Sequence, residues 1–218
     1  MTVAAQTGVM VERLDASAYE LPTDEPESDG TAEWDSTTIV VVEAQAGETT
    51  GLGYTYAPQA AGTLVKETLA SHVEGADALA PTEVWERLAR VLRNAGRPGI
   101  GFCALSAVDT ALWDLKARVL ELPLVDCLPR VHDAVPLYGS GGFCSYSLDR
   151  LREQLAGWVA QGIPRVKMKI SREPERDPQR LDAAREAVGD ETALYVDSNG
   201  AFGAKVALGW AQRLRADW

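Results

Sequence analysis

Two stretches decide the fold of this 218-residue chain: RVKMKI at 165–170 and ALYVDSNG at 193–200. Both are typical of short strands that end in polar residues. Side chains alternate between the two faces of a strand, so Lys167 and Lys169 share one face and the apolar residues between them share the other. The second strand leads directly to Asp197. We therefore expect two ammonium groups and one carboxylate to meet at neighbouring strand ends.

A strand–helix alternation surrounds these two strands. Strands are predicted at 135–138, 165–170 and 193–196, and the helix after the second strand is predicted to begin with Asp177 as its cap and Pro178 at its first position. The apolar stripes of the three helices are Leu148, Leu151, Leu155 and Val159, then Leu181, Ala184 and Val188, then Val206, Trp210 and Leu214. Alternation of this kind predicts a parallel sheet with right-handed crossovers.

The first part of the chain follows a different pattern, with strands before helices. Strands at 11–19, 37–46 and 49–56 suggest an antiparallel meander, and the segment 24–35 is predicted to be a loop. Two helices follow, one opening at Pro81 and one carrying Leu105, Val108, Leu112 and Leu115. The sequence thus predicts an α+β domain over 1–130 and the first βα units of a barrel over 131–218.

Charge is distributed unevenly along the chain, whose net charge is −11. Residues 1–65 contain eleven acidic residues and one basic residue, and six of the acidic ones lie in the segment 24–35. A surface of this kind repels nucleic acid, so we expect no nucleic-acid partner. The acidic segment is interpreted first as a solvated loop and alternatively as a mobile lid over a substrate.

Membrane insertion and export are not predicted. No apolar run approaches the roughly 20 residues that span a bilayer, and the N-terminus has no signal-peptide pattern. The three cysteines, Cys103, Cys127 and Cys144, form neither a disulfide framework nor a paired zinc motif. We expect reduced thiols and a cytoplasmic protein.

The lysine pair has a simpler interpretation, because alternating lysines on a strand are often a solvent-exposed face. Both faces of a parallel sheet are normally covered, which favours an inward position at the mouth of a barrel, where active sites lie. A Schiff-base enzyme using one lysine is a further alternative. His72 and His132 are isolated, and no Ser-His-Asp or Cys-His set is evident.

Three motifs together resemble a known family: KMK at 167–169, VDSNGAF at 196–202, and AVDTALWDLKAR at 107–118 ahead of LPL. In this combination and order the sequence is similar to the mandelate racemase and muconate-lactonizing branch of the enolase superfamily. The resemblance implies an α+β capping domain and a TIM-type barrel. It also implies Mg²⁺-assisted abstraction of a proton alpha to the carboxylate of a small substrate, as in racemases, epimerases and sugar-acid dehydratases.

The resemblance also implies roles for four residues. Lys169 resembles the catalytic base, and Lys167 resembles its partner, which lowers the pKa of Lys169 and contacts the substrate carboxylate. Asp197 resembles the first of three metal carboxylates, and Asn199 resembles a neighbour of substrate or metal. The acidic segment 24–35 resembles the capping-domain loop that closes over the substrate.

Two further acidic ligands belong to the family pattern, and no later strand end of this sequence supplies them. We therefore expect an incomplete barrel of about three βα units that is not fully active alone. Full activity is expected to require the missing barrel strands, in the same chain or supplied by a partner. As partners we expect a second copy in a homo-oligomer or the missing half of the barrel. The alternative is a non-catalytic fragment or interaction module that pairs through its open sheet edge. The residues do not choose the substrate.

Overall fold

The computed structural model describes residues 8–214. The chain divides into two compact units. The first contains residues up to Pro22 together with Thr37–Asp133, and the second contains Thr23–Ser36 together with residues from Ala134 onward. The domain division at residue 130 stays a prediction, and the packing adds that the acidic segment groups with the later part of the chain.

An antiparallel sheet of three strands, in the order β1-β2-β3, begins the chain. The strands are β1 (Arg13–Ser28), β2 (Glu33–Ala46) and β3 (Thr49–Tyr56). The last two are joined by a tight turn in which Ala46 faces Thr49 and Gly47 takes a φ of 57°. The predicted meander is confirmed.

The prediction of a loop over 24–35 is wrong, because β1 continues to Ser28 and β2 already begins at Glu33. Between them Asp29 builds a tight turn. Its carboxylate accepts hydrogen bonds from the backbone N–H groups of Thr31 (2.7 Å) and Ala32 (2.8 Å). Acidic composition suggested a loop, whereas the pairing of the two strands satisfies the backbone and keeps the segment extended.

Helices complete the first unit. They are α1 (Ala60–Leu64), which continues in shorter helical turns to His72, then α2 (Pro81–Val91), α3 (Phe102–Val119) and α4 (Leu124–Cys127). The two predicted helices correspond to α2 and α3, and α1 was not predicted. Lys116 and Arg118 lie in the last turn of α3, where the helix dipole favours cations.

The helix α3 lies directly on β3 because the strand presents two glycines to it. A Cβ atom at Gly51 or Gly53 would overlap backbone atoms of Ala107, Ala111 and Leu115. Small residues on both elements therefore allow the close approach. The buried core formed around this contact includes Val40, Val42, Leu69, Leu88, Leu92, Leu112 and Leu115.

A parallel sheet of three strands, in the order β4-β5-β6, forms the centre of the second unit. The strands are β4 (Gly139–Ser140), β5 (Arg165–Lys169) and β6 (Ala193–Asp197). They alternate with the helices α5 (Leu148–Ala160), α6 (Asp177–Val188) and α7 (Ala204–Leu214). This confirms the predicted βα units and the parallel sheet.

Two details of the second unit differ from the sequence-based predictions. The strand predicted at 135–138 is absent, since Pro136 has no N–H for a ladder and Val135 and Leu137 are exposed; pairing begins at Gly139. The predicted cap is also wrong. Asp177 is the first residue of α6, and its carboxylate accepts a hydrogen bond from the backbone of Ser171.

The apolar face of β5 packs into a second core. Val166, Met168 and Ile170 are buried against residues of α5 and α6, which include Leu151, Leu155, Leu181 and Ala184. Lys167 and Lys169 therefore face the other side of β5, as strand parity predicts. Among residues 8–214, no helix combines the length and apolar character needed to cross a bilayer.

Candidate active site

Strand register brings the four predicted site residues together. Lys169 of β5 lies opposite Asp197 of β6, two positions beyond the pair Lys167 and Tyr195. The Nζ atom of Lys169 is 2.8 Å from Oδ2 of Asp197, and that of Lys167 is 3.3 Å from the same oxygen. Lys169 Nζ also donates to Asn199 Oδ1 over 2.8 Å. One carboxylate oxygen is thus shared by two ammonium groups.

The two lysines are in different electrostatic environments. Burial, followed by the neighbouring Lys169, lowers the pKa of Lys167. Burial is the largest single effect on Lys169 and opposes its charged form, but the opposing effects, led by the hydrogen bond to Asp197, together outweigh it, so the pKa of Lys169 is raised. The resemblance implied a lowered pKa for Lys169. With the Asp197 carboxylate directly bound to Lys169, the lowered pKa belongs to Lys167 instead.

Asp197 is strongly held in its ionised form. Burial raises its pKa, but the hydrogen bonds from Lys169 and from the backbone N–H of Asn199 outweigh burial and bring the pKa to about 2. The latter bond joins Asn199 N to Asp197 Oδ1 over 2.9 Å. Asn199 has a φ of 48°, and this left-handed conformation turns the chain sharply after the strand.

The acidic turn adds a residue that the sequence did not single out. Asp29 is buried, which opposes its charged form, but backbone hydrogen bonds from Thr31 and Ala32 and the charge of Lys169 hold its pKa below the usual range. Within the second unit, this turn is held by a hydrogen bond of 2.7 Å from Cys144 N to Ser28 O. The signal in the sequence was the Asp-Gly pair at 29–30, which is typical of a tight turn.

Ion pairs hold the acidic segment on both sides of that turn. Arg150 Nε lies 2.9 Å from Glu25 Oε1, and Arg172 pairs with Glu33. Phe143 meets Trp34 edge-on, with ring centroids 5.5 Å apart. In this structure the segment is therefore held by specific contacts, while Asp24, Glu33 and Asp35 remain exposed.

Oxygen donors at the strand ends suit a hard divalent cation in part. Mg²⁺ prefers oxygen ligands and is often bound through one or two carboxylates together with water. Asp197 provides such a carboxylate and Asn199 an amide oxygen close by. Within residues 8–214, no group of three or more His, Cys, Asp or Glu side chains converges on one point. Asp197 and Asn199 could therefore supply some, but not all, of the ligands of a magnesium ion.

Family models match most of the chain. The mandelate racemase/muconate lactonizing enzyme N-terminal domain matches residues 20–128, and the enolase C-terminal domain-like family matches residues 150–218. The chain belongs to the mandelate racemase/muconate lactonizing enzyme family. The resemblance seen in the KMK and VDSNGAF motifs is confirmed, and with it the assignment to the enolase superfamily.

Individual members of the family are similar over nearly the whole chain. A 3,6-anhydro-alpha-L-galactonate cycloisomerase from Streptomyces coelicolor is 34% identical, and the match covers 87% of this chain and 55% of the relative. A mandelate racemase/muconate lactonizing enzyme-like protein from Rubrobacter xylanophilus superposes with a TM-score of 0.92 at 61% identity, over 94% of this chain and 58% of that one.

A third member of the family was crystallised with ligands. The L-talarate/galactarate dehydratase from Salmonella typhimurium, liganded with Mg and L-lyxarohydroxamate, superposes with a TM-score of 0.84 at 28% identity. The match covers 99% of this chain and 58% of the dehydratase. The chain thus spans a little over half the length of the relatives it matches.

Proposed function

We propose that this chain carries the lysine–aspartate side of an active site that removes a proton alpha to the carboxylate of a small acid. The observation that carries the proposal is the Asp197 carboxylate shared by Lys167 and Lys169 at adjacent strand ends. Relatives named as cycloisomerases and dehydratases of sugar acids support this class of reaction. Racemisation or epimerisation, dehydration and cycloisomerisation all begin with this proton transfer.

Each lysine has a part that its surroundings support. Lys169 is proposed as the base, because it borders both Asp197 and Asn199 at the end of its strand. Lys167 lies deeper, and its ammonium group is proposed to bind the substrate carboxylate, with Asn199 as a further polar contact. The lowered pKa of Lys167 reflects burial first and the neighbouring ammonium group of Lys169 second, and an anionic substrate would offset both.

Asp197 is proposed as a ligand for Mg²⁺, which stabilises the negative charge that develops on the substrate carboxylate. With a cation bound, the Asp197 carboxylate would favour the ammonium form of Lys169 less than it does in the free protein, as a general base requires. The described residues contribute one carboxylate, so they would supply only some of the metal ligands. The remaining acidic ligands come from strands of a barrel that these three βα units begin.

Deuterium exchange tests the proposal. The chain is incubated with Mg²⁺ and a panel of sugar acids in D₂O, alone and joined after residue 214 to the C-terminal part of the R. xylanophilus protein, and loss of the α-proton signal is followed by NMR. We expect exchange by the joined protein. Lys169→Ala should reduce it by about 100-fold or more, because it removes the general base.

The matched control is Lys205→Ala, which alters an exposed lysine of α7 and should leave exchange unchanged. Exchange that survives Lys169→Ala would contradict the role of that lysine. Robust exchange by the chain alone would contradict the proposal that it supplies only a share of the ligands.

A second candidate function is association through the sheet edge. Among the described residues β6 pairs only with β5, and Tyr195 and Val196 on this edge strand are 45% and 39% exposed. An edge of this kind pairs readily with another chain. Self-association, or association with a polypeptide that continues the sheet, would be seen by light scattering. A monomer at all concentrations would count against it.

A further inference from the structure

Ser171 has a backbone conformation that serine rarely adopts. It follows β5 by two positions, and its φ is 85°, in the left-handed region that favours glycine. A residue held in such a conformation persists only where its surroundings determine it. The contacts of Ser171 therefore show what the conformation achieves.

The side chain of Asp177 and the hydroxyl of Ser171 itself fix the serine. The buried carboxylate of Asp177 accepts a hydrogen bond from Ser171 N over 2.9 Å, which anchors the backbone to α6. The hydroxyl of Ser171 lies within hydrogen-bonding distance of two carbonyl oxygens, that of Ile170 and, over 3.2 Å, that of Ser198. Ser198 immediately precedes Asn199.

The hydroxyl continues the connection between the two strands beyond their last backbone bond. That bond joins Ile170 N to Asp197 O over 3.1 Å. One residue further along each segment, the two segments are connected by the contact between Ser171 Oγ and Ser198 O instead of by a backbone hydrogen bond. The same short turn places Asn199 Oδ1 against Lys169 Nζ.

The turn at Asp29 and Gly30 packs closely against this hydroxyl. A Cβ atom at Gly30 would overlap Ser171 Oγ and the carbonyl oxygen of Ser198. Gly30 has no positive φ that requires glycine, so the requirement is one of space. The absence of a side chain at position 30 keeps the hydroxyl on its acceptor.

We propose that Ser171 is a positioning residue, whose hydroxyl holds the Ser198 carbonyl so that the side chain of Asn199 meets Lys169. Its importance for catalysis rests on the proposed function. The geometry itself is testable in the free protein, without metal or substrate, so the two can fail separately.

Amide hydrogen exchange measured by NMR provides the test. The informative amides are those of Asn199, which donates to Asp197 Oδ1, and Ala201, which donates to Ser198 O over 3.0 Å. In Ser171→Ala and Ser171→Gly we expect the protection factors of both amides to fall by about five- to tenfold, the scale of one lost hydrogen bond. Ser198→Ala, which keeps the carbonyl, is the matched control and should change neither.

The glycine variant separates positioning from backbone strain. Ser171→Gly relieves the strained φ, so its melting temperature should equal or exceed that of Ser171→Ala while the local protection stays low. Gly30→Ala leaves the serine in place and should produce the same local loss by displacing its hydroxyl. The proposal would be overturned if the protection factors of the Asn199 and Ala201 amides were unchanged in both Ser171 variants. It would also be overturned if Ser171→Gly restored both these protection factors and the melting temperature.

Discussion

At the scale of single residues, the charges around Asp197 determine the protonation state of Lys169 in the free protein. One carboxylate is hydrogen-bonded to two ammonium groups, so this cluster carries excess positive charge, which the Asp29 carboxylate near Lys169 reduces. The same arrangement keeps Lys169 protonated until another group engages Asp197. In the free protein the proposed base is therefore held as an ammonium group.

Asp197→Asn should destabilise the free protein at neutral pH. The folded carboxylate has a pKa of about 2 against an ordinary value of 3.8, so its stabilisation is complete above pH 3.8 and is lost as the pH falls through 2. The side chain is 39% exposed and partly screened, so we expect a loss of about 1 kcal/mol at pH 7. Urea unfolding at pH 7 and at decreasing pH measures it.

Asp190→Asn is the control for charge, since Asp190 is exposed. It should change the free energy of unfolding much less than Asp197→Asn at pH 7. The difference between the two variants should narrow as the pH falls from 4 toward 2. A difference that persists without change across this range would contradict the ion-pair origin.

At the scale of elements, the contact between β3 and α3 depends on glycine at two strand positions. Gly53→Ala places a methyl group against the backbone of Ala107, and a helix backbone cannot yield as a side chain does. We expect a loss of about 1–3 kcal/mol in the free energy of unfolding, typical of overpacking. Chemical denaturation monitored by circular dichroism measures it.

Gly62→Ala in α1 is the matched control in the same unit. Its added methyl would meet Val40 Cγ1 at 3.4 Å, which is an ordinary contact, and alanine favours the helix. We expect its stability to be unchanged or slightly higher. Equal losses in the two variants would mean that the close approach of β3 and α3 is not the cause.

Local sequence predicted those elements whose own pattern determines them. The strands β5 and β6 and the helices α3, α5 and α6 follow apolar periodicity, and the register of Lys169 with Asp197 follows from parity. Elements that depend on distant partners were not predictable. The extension of β1 through an acidic, proline-containing segment depends on pairing with β2 and on the bond from Cys144 N to Ser28 O.

The candidate site divides in the same way. Its four principal residues could be identified because two short motifs carry them. Ser171, Asp177 and Asp29 could not, because nothing nearby in the sequence shows that a serine takes a left-handed φ, that a helix-start aspartate binds a strand end, or that a turn 140 residues earlier approaches Lys169.

At the scale of the whole molecule, the acidity of the first 65 residues is partly neutralised by bases from much later in the chain. Glu25 pairs with Arg150 and Glu33 with Arg172. An acidic segment that seemed solvated in the sequence is thus part of the second compact unit. Exposed pairs of this kind add little stability individually.

The strand β6 lies at the edge of the parallel sheet, where another polypeptide could pair with it. If such pairing occurs, a charged side chain on β6 should prevent it, since burying an unpaired charge is costly. Tyr195→Glu should shift the average mass measured by light scattering toward the monomer at concentrations where the native chain associates. Tyr56→Glu alters a tyrosine that is 68% exposed on β3, the edge strand of the antiparallel sheet, and should have no effect. If both variants reduce the mass equally, the association does not depend on β6 specifically.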